Sequence, residues 1–290
     1  MQTFSDNAYT SFSTDASANV FTAKEIRLNY KISKGILGSP WANPLYNNFA
    51  MMFKDKKFTA AFFNTIRMGL AYIITGFPGP IILALLLNEL RNRHYKNTLQ
   101  VIYTFPNFLS WVIVGGLMTT IFAGEGVINS LIRASGGQTY GFLTDKSLIR
   151  PLLYATSIWK GTGWSAILYL AGIAGISPEL YEAAEVDGAN RFHKMWYITW
   201  PEIRSTAVIL LILAFGGIMS KGYDQILNMT NAVVRDAAET IDTYIYRITF
   251  QEKPKYGFST AIGLSKSVIN FAFLLLANKL AKALGEGGIM

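Results

Sequence analysis

Ser177-Pro-Glu-Leu-Tyr-Glu-Ala-Ala-Glu-Val-Asp-Gly-Ala-Asn-Arg-Phe-His-Lys-Met-Trp-Tyr-Ile-Thr-Trp-Pro-Glu-Ile203 is a polar, acid-rich interruption between two long apolar runs. Its local signals agree with one another. Ser177 is suited to cap a helix, Pro178 fits the first turn, and Glu179 favours the positive end of the helix dipole. Leu180 to Asp187 is a good helix-forming run, and Gly188 supplies a left-handed stop. Asn190 is placed to cap a second short helix, which Pro201 must end or bend. The stretch therefore predicts helix, glycine break, helix: a compact prong between two membrane segments.

The spacing carries more. Glu182-Ala183-Ala184 is followed after three residues by Gly188, after nine more by Ile198, and after two more by Pro201. This pattern resembles the EAA loop of permease subunits of binding-protein-dependent ABC importers. The resemblance implies a cytoplasmic coupling helix that docks into a groove on a separate ATPase subunit. Glu182, Ala183, Ala184, Gly188, Ile198 and Pro201 would be its coupling positions. The match departs at Trp200, where the family usually has Leu, one large apolar residue for another.

Composition agrees with a membrane protein. The 290 residues are 51% hydrophobic and only 15% charged, against about a quarter charged in soluble domains. The net charge of +8 does not point to nucleic acid, because so apolar a chain acquires positive charge through its cytoplasmic loops. The chain has no cysteine, which excludes disulfides, thiol catalysis and sulfur-ligated metals. His94 and His193 lie far apart in polar loops and make a poor metal or catalytic pair.

Along the chain, residues 1–59 are polar and aromatic with no apolar run long enough to cross a bilayer, and they lack a signal peptide's charged start and apolar core. Gly35 to Pro44 reads as a turn-rich surface segment. Tyr46 to Lys57 reads as a short amphipathic helix ending in the basic cluster Lys54, Lys56 and Lys57. The permease domain covers 60–285, with the prong at 177–203, and a tail follows at 286–290. Five spans are expected, at 66–90, 99–122, 151–176, 205–221 and 259–280, each near the ~20 residues needed to cross hydrocarbon. Gly76, Pro78 and Pro80 predict a kink or break in the first.

Arg91, Arg93 and Lys96 crowd the short connection after the first span, which places that loop in the cytoplasm. Strict alternation then puts the prong and the C-terminus inside, and 123–150 and 223–258 outside. It also puts the N-terminus outside, where Lys24, Arg27, Lys31 and Lys34 resist translocation. Either an additional span upstream is therefore expected to be missing from this chain, or its first 25 residues are not the native start.

The likeness extends past the prong. Gly35 to Trp41, Ile81 to Arg91, Phe105 to Val114, Phe142 to Asp145, Ile158 to Lys160, Ile241 to Arg247 and Leu276 to Gly288 are similar to polysaccharide-type sugar ABC permeases. The resemblance implies an all-α type I ABC importer transmembrane domain in the bacterial cytoplasmic membrane. It further implies a second permease, two ABC ATPase subunits and an extracytoplasmic solute-binding protein that delivers an oligosaccharide.

The chain has no Gly-x-x-x-x-Gly-Lys-Ser/Thr phosphate loop and no hydrolase constellation. Gly263-Leu-Ser-Lys-Ser267 only approximates the loop. No cofactor is expected on this chain, which is not itself an enzyme; ATP and Mg²⁺ belong to the partner ATPases. Candidate path residues are Tyr103, Asn107 and Trp111 on the second span, Trp159, Lys160 and Trp164 on the third, and Asp224 beyond the fourth. A charge inside a membrane costs several kcal/mol unless it meets water or a partner. Lys160 therefore either lines a polar cavity between sugar-stacking tryptophans or snorkels outward. Ordinary packing accounts equally well for Tyr103, Asn107 and Trp111, and a helix-end carboxylate for Asp224. Two other classes remain: an ion-coupled secondary transporter, which would want intramembrane acids that the spans lack, and an integral membrane enzyme, for which no metal or nucleophile cluster appears.

Overall fold

The structure, a computed structural model, describes residues 47–252, 255–283 and 285. The surface segment expected at 35–44, the N-terminal charges and the tail at 286–290 lie outside the described residues. The chain divides after Lys54 into two compact units. The first contributes α1 (Asn47–Lys54). The amphipathic helix expected at 46–57 thus ends three residues early, because Asp55 starts a new helix. Its carboxylate accepts hydrogen bonds from the Lys57 and Phe58 amides at 2.8 and 3.3 Å, so Lys56 and Lys57 belong to the next helix.

From Asp55 onward the described residues form helices and no strand: α2 (Lys56–Gly76), α3 (Pro78–Asn88), α4 (Arg93–Thr104), α5 (Trp111–Phe122), α6 (Val127–Ala134), α7 (Ile149–Ala174), α8 (Pro178–Val186), α9 (Arg191–Lys194), α10 (Trp200–Gly216), α11 (Tyr223–Met229), α12 (Arg235–Ala238), α13 (Ile241–Tyr246) and α14 (Tyr256–Ala283). The break expected in the first span falls where predicted. Pro78 offers no amide hydrogen, so α2 ends at Gly76 and α3 begins two residues on, with Phe77 still helical at φ −71° and ψ −42°.

Two expected spans are corrected. Residues 99–122 are not one helix: α4 stops at Thr104, a 3₁₀ turn covers Phe105–Phe108, and Leu109 is extended at ψ 137°. Pro106 supplies the physical cause. The apolar segment on this side runs instead from Trp111 to Ala134. The span expected at 205–221 begins earlier, because α9 passes through a π-turn at Met195–Thr199 directly into α10. Pro201 therefore neither ends nor breaks the helix. It sits in the first turn of α10, and the wider π-turn before it, closed by the Trp200 amide on the Met195 carbonyl, takes up the missing hydrogen bond.

Among the described residues four segments are long and apolar enough to cross a membrane: Lys56–Asn88, Trp111–Ala134, Arg191–Gly216 and Tyr256–Ala283. The helix expected at 151–176 forms as α7. Its 26 residues give a length of about 39 Å, yet its composition keeps it out of that group. The reason lies in its position. It packs against α2, α3, α4, α10, α11 and α12, so Thr156, Lys160, Gly163 and Thr162 face protein. At one end Ile149, Leu152 and Leu153 pack with Met68, Val114 and Ile226. At the other, Ala166, Tyr169 and Ile173 pack with Ile81, Leu85 and Ile203. The fold is organised around this helix.

Candidate functional site: a coupling prong and a polar seam along α7

The prong forms as helix, turn, helix. Pro178 opens α8, and Ser177 occupies the cap position in extended conformation without a side-chain hydrogen bond. Gly188 has φ +80°, where a Cβ is strained. The turn closes through the Gly188 amide on the Glu185 carbonyl at 3.1 Å and the Ala189 amide on the Ala184 carbonyl at 2.8 Å, which satisfies the helix's terminal carbonyls. Asn190 caps α9, accepting from the His193 amide at 2.9 Å.

Two side-chain links hold the prong. The Lys194 ammonium meets the Glu185 carboxylate at 2.5 Å, and the Tyr181 and Thr199 hydroxyls lie 2.9 Å apart. The Lys194 hydrogen bond and charge hold the Glu185 carboxyl below its usual range, with Arg91 contributing. Arg91 lies in the connection between α3 and α4, so that basic loop and the prong share one end of the bundle. Glu182, Ala183 and Gly188 are exposed, Ala184 and Ile198 are half-buried, and Pro201 is exposed. Around them Val186, Phe192, Trp196 and Tyr197 are 60–89% exposed. These large apolar side chains are left uncovered within this chain, on and just after the prong.

The second feature is a seam beside α7. Lys160 is buried. Its ammonium donates to the Asn107 carbonyl at 2.7 Å and sits 5.4 Å from the centre of the Trp111 ring. The structure thus gathers Lys160, Asn107 and Trp111 and turns the lysine inward, which replaces snorkelling. Trp164, one helical turn from Lys160, meets Phe108 edge to face at 6.0 Å. Tyr103 is 46% exposed beside this seam, and Trp159, 43% exposed, points elsewhere on α7. Asp224 is apart from the cluster, exposed in the first turn of α11, where a negative charge suits the helix dipole. Lys266 is likewise paired, 2.5 Å from Asp242, and Gly263 to Ser267 lie inside α14, so no phosphate loop forms there.

Sequence reasoning missed Gly163 and Gln225. A Cβ on Gly163 would collide with the Tyr103 carbonyl, so α7 and α4 touch backbone to backbone. No spacing marked it, because small residues signal a helix contact at four-residue intervals and Gly161 is only two residues away, on another face. Gln225 is buried; it accepts from the Tyr72 hydroxyl at 3.0 Å and donates to the Leu153 carbonyl and the Thr156 hydroxyl, each at 2.6 Å. Nothing local marked it. Among the described residues no cluster of metal-ligating side chains occurs.

Helices long and apolar enough to cross a membrane, joined by an exposed, glycine-broken prong, are those of a multi-pass membrane protein. Residues 76–286 match the family model described as "Binding-protein-dependent transport system inner membrane component", and the chain belongs to that family. It is 40% identical over 262 residues to Protein LplB of Bacillus subtilis, covering 90% of this chain and 81% of the relative. It is equally similar, with the same coverage, to the polygalacturonan/rhamnogalacturonan transport system permease protein YteP of Bacillus subtilis. In structure it is similar to a chain of a bacterial alginate ABC transporter solved in complex with an alginate pentasaccharide-bound periplasmic protein. The TM-score is 0.80 at 33% identity, covering 92% of this chain and 90% of the other.

Proposed function

We propose that this chain is one of two permeases lining the path of an ATP-driven importer of oligosaccharides in the bacterial cytoplasmic membrane. A solute-binding protein delivers the sugar, and two ATPase subunits, which hold ATP and Mg²⁺, dock from the cytoplasm. The observation that carries this reading is the prong: an exposed, rigidly cross-linked pair of short helices with an apolar surface, at the same end as the basic Arg91 loop. Family membership sets aside the ion-coupled alternative. Sugar relatives support the substrate class.

Cysteines placed at Ala183 or Ala184 should crosslink to the ATPase and not to the binding protein. Their labelling only by an impermeant reagent applied from outside would refute both the orientation and the coupling role.

In this reading Lys160, Asn107 and Trp111, with Tyr103 and Trp164 beside them, form one wall of the path. Lys160 is the positioning residue that anchors the 105–111 turn. Lys160→Met is expected to cut uptake several-fold while the ATPase still copurifies. It should also cost about 1–3 kcal/mol of stability through the orphaned carbonyl. Uptake at the wild-type rate would remove this cluster from the path.

A further inference from the structure

A cavity of about 370 Å³ lies against the middle of α7, at the break between α2 and α3. That volume is in the range of about 300–1,000 Å³ common for small-molecule sites. Its polar lining comes from Tyr72, Ser157, Thr162, Ser165, Tyr169 and Lys221, and no Asp or Glu borders it. Lys221 is half-buried. The other cations drawn into the bundle have partners: Lys160 has the Asn107 carbonyl, Lys266 has Asp242 and Arg247 has Glu239. Lys221 has no hydrogen bond or ion pair among the described residues. A half-buried ammonium without a counter-charge is unfavourable unless something negative visits it.

We propose that Lys221 binds a carboxylate of the transported saccharide, so that this cavity selects acidic over neutral sugars. The proposal rests on the sugar-import reading above.

The backbone that presents Lys221 is fixed before any ligand arrives. Lys221 is extended at ψ 138° after the 3₁₀ turn Ile218–Ser220. Gly222 follows with φ +81°, and a Cβ there would come within 3.1 Å of the Tyr72 ring. The Tyr72–Gln225–Thr156 network then ties α11 to α2 and α7. A donor held in this way loses little entropy on binding. An ammonium recognises a carboxylate as a charge-assisted hydrogen bond, whereas a sugar hydroxyl gains far less. Tyr72 and Tyr169 border the cavity as buried walls, and the half-buried Ser157 and Ser165 beside them can offer hydroxyls to those of the sugar.

The test uses the complete importer, with its partner permease, ATPases and binding protein, reconstituted in vesicles. Two probes are compared: a trigalacturonate, and the same trisaccharide with its carboxyls reduced to alcohols. In Lys221→Met the ratio of acidic to reduced uptake should fall about tenfold or more, the scale of one charged hydrogen bond. Lys221→Arg should restore most of it. Because misfolding lowers both uptakes together, the ratio isolates recognition. An unchanged ratio in Lys221→Met, with the wild type importing the acidic trimer, overturns this assignment alone. A wild-type importer that moves neither compound with ATP overturns the sugar-import reading and this assignment with it. The measurement is repeated in phosphatidylcholine with and without phosphatidylglycerol. A change of ratio seen only when phosphatidylglycerol is present would give the cavity to a lipid phosphate and overturn the proposal.

Discussion

Gly188→Asp is expected to release the ATPase subunits while the chain itself stays folded and inserted. Gly188 has φ +80°, and no atom lies within 4 Å of where its Cβ would stand. The substitution therefore creates no clash within this chain. Its internal cost is backbone strain of about 1 kcal/mol, less for Asp than for most residues because Asp tolerates the left-handed region. What changes is the surface. A carboxylate would project from the turn between α8 and α9, beside exposed Val186 and Phe192, where a partner groove would have to desolvate it. The ratio of ATPase to permease after purification should fall about tenfold or more, the scale of losing one interface hot spot. Gly188→Asn separates the contributions, since it keeps the bulk and the left-handed tolerance but adds no charge. Its retention of the ATPase would place the effect on charge. Copurification of the Asp variant at the wild-type ratio would mean that the prong does not dock.

Gly163→Ala should be the most disruptive single-methyl change in the bundle. The added carbon would overlap the Tyr103 carbonyl and the Thr104 amide, which are backbone atoms that cannot rotate away. α7 would have to move off the end of α4, taking Lys160 from the Asn107 carbonyl in the same step. Overpacking of this kind costs about 1–3 kcal/mol, sometimes more, and the loss of the buried contact adds to it. Assembled complex should be recovered in strongly reduced yield and should melt well below the wild type. Gly161→Ala, two residues earlier with no atom within 4 Å of its Cβ, is the control and should assemble normally. Equal melting of the two variants would show that α4 and α7 do not approach as closely as described.

The contrast between these two glycines shows where sequence reading stops. Gly188 was legible because everything that requires it is local: a helix-forming run before it, Asn190 after it, and a turn that closes within five residues. The same holds for the Pro78 break. It holds too for the apolar stretches, whose length decides whether they can cross a bilayer. Family membership was equally legible, carried by the spacing from Glu182 to Pro201.

Gly163 was not legible, because the atom that forbids a side chain there belongs to Tyr103, on another helix. Pro201 was misjudged for a related reason. Its missing hydrogen bond was plain, but whether the chain breaks or absorbs the loss in a π-turn depends on how α9 and α10 pack. Lys160 could be read from sequence only as a charge in an apolar segment. Its direction was decided by a carbonyl 53 residues away, and the Gln225 network by partners 69 to 153 residues away. The Gly188 turn, the Asn190 cap and the Pro78 break depend on neighbours within a turn or two, so the chain alone determines them. Which polar groups meet, and which ammonium is left without a partner, depends on how the helices fit together, and only the tertiary structure decides that.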